Sequence, residues 1–161
     1  MDRLKKIDEN LNRQHKGLRR LLTLLSEEYE GLTRPDEADL ASNQLAVQEL
    51  LRQLAKEREE LVELLPREAP EGKKLEALLK GLPRSKQESL RTLVADLGRQ
   101  EKLCSKQAAR NADLSMALVE QSRTLIEYMQ EQVTPAGSQV YGRRGVRNTA
   151  KPDGSLVQGR L

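Results

Sequence analysis

The stretch SKQESLRTLVADLGRQEKLCSKQAARNADLSMALVEQSRTLIEYMQEQ, residues 85–132, decides the fold. It holds no proline and a single glycine, Gly98, so little in it opposes a continuous ladder of helical hydrogen bonds. Leu90, Val94, Leu97, Cys104, Ala108 and Asn111 recur at helical spacing and mark a first seam. Ser85 and Glu88 read as a capping box at its start. The spacing predicts one helix over 86–132, about 45 residues long, between Pro83 and Pro135.

Outward from this stretch, residues 2–30 place Leu4, Leu11, Leu18 and Leu25 seven apart, with Ile7 and Leu21 between them. Leu22 and Tyr29 widen the stripe of this first helix. Gly31 and Thr33-Arg34-Pro35 are expected to end it, with Pro35 in the first turn of the next. The second helix, over 36–65, repeats the pattern with Leu40, Val47, Leu54 and Leu61 until Pro66 stops it. A short link between two helices of this length folds them into an antiparallel hairpin. Breakers at Pro66, Pro70, Gly72, Gly81 and Pro83 enclose a short helix over 73–82 that carries Leu75, Leu78 and Leu79. The expected fold is all-α: an elongated antiparallel helical hairpin or three-helix bundle with one longer C-terminal helix. Residues 1–133 make the helical domain, and 134–161 a flexible Gly- and Arg-rich tail.

Composition agrees with helices packed along narrow leucine seams. Of 161 residues, 33% are charged and only 2% aromatic, with neither Trp nor Phe to build a thick core. The single cysteine, Cys104, excludes an internal disulfide and favours a reducing cytoplasm. The start, Met1 to Lys6, has no apolar signal-peptide run, and no stretch reaches the ~18 apolar residues of a membrane span, so a soluble protein is expected. The net charge of +3 is a property of the tail, where Arg143, Arg144, Arg147, Lys151 and Arg160 face only Asp153. That weakens any case for the helical body as a nucleic-acid binder.

Little here carries catalytic chemistry. The only histidine, His15, sits among Arg13, Lys16 and Arg19 and reads as a solvated surface residue. Cys104 lies on the Leu90–Leu97 face and reads as a small buried apolar residue. One Cys and one His do not make a typical zinc site. Runs such as Glu57-Arg58-Glu59-Glu60 alternate in sign, as on a hydrated helix. There is no phosphate loop, dinucleotide turn or nucleophile elbow, and the expectation is a binding protein without catalytic residues, metal or cofactor.

The more informative feature is the far end of the long helix. Leu114, Leu118, Val119, Leu125, Ile126, Met129 and Val133 project within an arc of roughly 140°, with Asn111, Ser115 and Ser122 near its middle. Asp113, Glu120, Arg123, Glu127 and Glu131 occupy the other side. Either an earlier helix covers this arc, or a partner or second copy does. The tail likewise admits three readings: a solvated terminus, a segment that orders on a partner, or a nucleic-acid contact with Tyr141 as its lone stacking residue.

The chain resembles the FlgN family of flagellar export chaperones over roughly residues 18–148. The resemblance is carried by the leucine-rich stretch Leu21–Leu32, by Asn111 opening the last part of the long helix, and by Tyr141-Gly142-Arg143-Arg144-Gly145, which looks like the family's Tyr-Gly-x-x-Gly motif. Where members often have Asn-x-x-Asn-Gly, this chain has Asn111-Ala112-Asp113-Leu114-Ser115. The resemblance implies a cytoplasmic chaperone that binds hook-associated (FlgK/FlgL type) proteins through about Asn111–Val133. It also implies docking on the export gate protein FlhA through Tyr141, Gly142 and Gly145. The alternatives are a structural coiled-coil homodimer or adaptor and, behind it, nucleic-acid binding through the basic tail.

Overall fold

The computed structural model describes residues 2–34 and 39–133. Every element among them is a helix: α1 (Asp2–Thr33), α2 (Leu40–Leu64), α3 (Lys74–Lys80) and α4 (Arg84–Val133). The chain divides into two units, residues 1–116 and the remainder from Ala117, of which the described part is the end of α4.

In the first unit α1 is the central helix. Ile7, Leu11, Leu18, Leu21, Leu24 and Leu25 are all buried, whereas α2 buries only Leu54. Each such side chain contributes about 1.5–3 kcal/mol relative to exposure, so the leucine stripe of α1 is the main source of stability. Leu54, Leu79, Leu90, Leu97 and Cys104 join it in one apolar cluster, with Leu75, Leu78 and Leu82 of the α3 region packed at its margin.

Polar contacts fix how the helices align. Against α2, Arg3 Nε donates to the Leu64 carbonyl (2.6 Å), Asn10 Nδ2 to the Glu57 carbonyl (2.8 Å), and Asn43 Nδ2 to the Leu24 carbonyl (3.1 Å). Numbers rise on α1 as they fall on α2, so the pair is antiparallel. Asn10 is wholly buried and fully engaged: it also donates to Glu57 Oε2 and accepts from Gln14 Nε2, both at 2.7 Å. Arg13 closes this layer with a two-pronged hold on Glu57, at 2.7 and 2.9 Å. Against α4, the Cys104 thiol donates to the Leu18 carbonyl (3.3 Å) and Asn111 Nδ2 to the Leu25 carbonyl (2.7 Å). Both pairs share a separation of 86 residues, so α1 and α4 run parallel in one heptad register. The same separation sets Leu11 level with Leu97 and Leu4 level with Leu90. Arg58 of α2 pairs with Glu101 of α4, giving an up-down-up order.

Burial pushes the Cys104 thiol pKa up, with the Glu101 charge adding to it, as suits a side chain used for packing. His15, expected on the surface, is half-buried.

The ends of the elements depart from expectation in instructive ways. Helix α1 does not stop at Gly31, which is buried within it; the Arg34 N–H still reaches the Glu30 carbonyl at 2.9 Å. Helix α2 starts at Leu40 because Asp39 caps it, its carboxylate accepting from the Ser42 N–H at 3.0 Å. Pro35, expected in its first turn, lies outside the described residues. Pro66 ends α2 as expected, forcing Leu65 into an extended conformation with ψ 154°. The predicted Ser85–Glu88 capping box does not form. The carbonyl of Pro83 already accepts from the N–H groups of Lys86 and Gln87, so the helix starts at Arg84 with Ser85 inside its first turn. The Gln87 side chain instead turns back to donate to the Leu82 carbonyl at 2.8 Å, tying the start of α4 to the residue before Pro83.

Gly17 has a long-range role. A Cβ there would stand 2.8 Å from a terminal methyl of Leu54, so its missing side chain lets α2 approach α1. Gly17→Leu should destabilise by about 1–3 kcal/mol through overpacking. Gly17→Ala should be near neutral, because better helix propensity offsets a shift of the Leu54 methyl. Asn111→Ala should cost about 1–3 kcal/mol by unpairing Glu28 and Gln107. Urea unfolding of the three variants checks all three values.

Candidate partner-binding face

The C-terminal stretch of α4 is helical for the reasons that make the whole of α4 helical: no proline, no glycine after Gly98, and periodic apolar residues. Its burial differs from that of the bundle. From Val119 to Val133 every residue is exposed, and Leu114 and Leu118 are half-buried. Exposure of the large apolar side chains runs from 46% at Ile126 to 71% at Val133, with Val119, Leu125 and Met129 between them. The structure therefore brings Val119, Leu125, Ile126, Met129 and Val133 onto one continuous exposed face, with half-buried Leu118 at its start.

Asn111 does not belong to that face. It is 4% exposed, its amide donates to the Leu25 carbonyl and to Glu28 Oε2 (both 2.7 Å), and its Oδ1 accepts from Gln107 (2.9 Å). Its hydrogen-bonding capacity is spent inside the first unit, so it positions α4 and offers nothing to a partner. Beside it, the Arg110 guanidinium lies 4.9 Å from the centre of the Tyr29 ring.

Tyr128 belongs to the face and the sequence reading missed it. It is 59% exposed and projects on the opposite edge from Ile126, widening the apolar arc to about 180°. Its position three residues after Leu125 is the signal that would have found it. An amphipathic ring of this kind is a favoured contact residue in interfaces. Met116, 72% exposed, projects away from the arc.

Charge lies on the side of the helix away from this face. Residues 117–133 carry Glu120, Glu127 and Glu131 against Arg123. Arg123 Nε is held by Glu127 at 3.0 Å, and Glu120 and Glu131 make no ion pair among the described residues. The arrangement suits non-covalent binding of an apolar helix or strand. Among the described residues no three or more His, Cys, Asp or Glu side chains gather as metal ligands would, and no helix is long and apolar enough to cross a membrane. Tyr141, Gly142 and Gly145 lie outside the described residues.

Neither the curated proteins nor the solved structures compared with the chain yield a match. The family model described as FlgN protein matches residues 1–149. With an all-α fold, one long C-terminal helix and an uncovered apolar face on it, the chain belongs to the FlgN family of flagellar export chaperones.

Proposed function

We propose that this chain is a non-enzymatic cytoplasmic chaperone that holds hook-associated proteins of the FlgK/FlgL type on the exposed face of α4 and delivers them to FlhA. The observation that carries this reading is the uninterrupted apolar arc from Leu118 to Val133, half-buried at Leu118 and exposed from Val119 onward. Apolar surface of this extent on a charged helix needs a cover, and an aggregation-prone helical terminus of an export substrate has the matching chemistry. Buried Leu, Ile and Met side chains would supply the affinity, at about 1.5–3 kcal/mol each before ordering costs. Delivery to FlhA rests on the family resemblance of Tyr141, Gly142 and Gly145. Substrate grip and gate docking then fall on separate stretches of chain.

A second copy covering the same face is the alternative occupant. Light scattering separates the two, because a dimer has twice the 18.2 kDa of one chain whether or not a substrate is present.

Leu125→Asp combined with Met129→Asp should weaken binding to a hook-associated protein by about a hundredfold or more, two buried apolar side chains being lost. Both positions are exposed in the free chain, so circular dichroism and the unfolding midpoint should stay unchanged. Undiminished capture of the substrate by this variant in a calorimetric titration would remove α4 as the site.

A further inference from the structure

We propose that the α4 face takes two helices of the export substrate at once, one on each of its flanks, rather than a single helix. This deepens the reading of that face as the substrate site and rests on it.

The face carries two heptad seams. Val119, Ser122, Ile126, Met129 and Val133 follow the 3–4 spacing of a coiled-coil seam. Leu118, Gln121, Leu125, Tyr128 and Gln132 follow the same spacing, one residue earlier throughout. A displacement of one residue turns a seam by about 100° around the helix axis. A facing helix covers a stripe of about that width, so one helix serves one seam.

The surface shows the same division. One shallow groove lies around Val119, Ser122, Arg123 and Ile126, and another around Gln121, Thr124, Leu125 and Tyr128. Each quartet is spaced i, i+3, i+4, i+7, the four-residue hole into which a facing helix inserts one side chain. In projection the two holes point about 160° apart, so no single straight helix lies over both. Their shapes also differ. Ser122 leaves the first hole room for a large apolar side chain, whereas Leu125 and Tyr128 wall the second and suit a helix with small residues at its seam. A second copy of the chain does not meet this need. In a two-fold pair each α4 lays one seam on its partner and leaves the other bare.

The test is photocrosslinking in the complex of the full chain with a hook-associated protein of the FlgK/FlgL type. In one variant p-benzoylphenylalanine replaces Ile126, in another Tyr128; both positions are exposed, so the bundle is untouched. Met129, on the seam of Ile126, takes its place if the larger side chain there blocks capture. Mass spectrometry should map the two sets of cross-links to substrate segments more than about ten residues, or three helical turns, apart. Both variants marking one shorter stretch, cross-links only to a second copy of the chain, or a seam that marks no substrate would each overturn the proposal. In the otherwise native chain, Tyr128→Asp should weaken capture in a calorimetric titration by about tenfold or more. A lone helix on the seam of Ile126 would leave Tyr128 untouched, so unchanged affinity would also overturn it. The two readings fail separately. One shared stretch of substrate under both seams removes the helix pair and leaves the chaperone. A native chain that captures no hook-associated protein removes the chaperone and the pair together.

Discussion

The parallel register of α1 and α4 is the constraint on which the rest depends. It is written in two hydrogen bonds, Cys104 to Leu18 and Asn111 to Leu25, on a seam otherwise made of leucines. A leucine seam alone tolerates a slip of one heptad, since Leu meets Leu again seven residues on. A buried amide that must find a carbonyl and a carboxylate does not tolerate it. One polar layer at the seam thus trades some stability for a single alignment, as polar residues at core positions of coiled coils do. The Glu28 carboxylate makes a wrong register costlier still, because a displaced Asn111 would leave a charged group unpaired.

The α1–α2 interface applies the same logic with different parts. Asn10, Gln14 and Glu57 make its polar layer, and Gly17 removes the side chain that would keep the helices apart. The two layers lie on different faces of α1, so the central helix dictates the placement of both neighbours. Its dense leucine content follows from that position, because it packs its apolar side chains against both neighbours. Helix α2, which packs chiefly on α1, leaves Leu45 and Val62 well exposed at little consequence to the core.

Much of this was legible in the sequence, because heptads of leucine and the spacing of prolines are local signals. The four helices, the stop at Pro66 and the apolar arc near the C-terminus all follow from such patterns. What stayed hidden depends on distant partners. Gly17 has no mark in its own neighbourhood; its role exists only because Leu54 comes within 2.8 Å of where a Cβ would be. Asn111 was assigned to both the seam and the arc for a related reason. A straight helix drifts about 20° per heptad against a strict seven-residue repeat, so the seam and the arc overlap in projection. Only the hydrogen bonds to α1 tell which of the two a residue joins. The capping box at Ser85 failed because Pro83, a stop for α3, also supplies the first carbonyl of α4.

The placement of the tyrosines has an optical consequence. With no tryptophan in the chain, its near-ultraviolet signal comes from tyrosine, and each of the two described rings sits in a different unit. Tyr29 lies under the Arg110 guanidinium within the bundle, while Tyr128 stands in water on the apolar face. Loosening of the bundle and covering of the face therefore perturb different chromophores. Absorbance and emission of the unlabelled protein carry a separate report on folding and on occupancy.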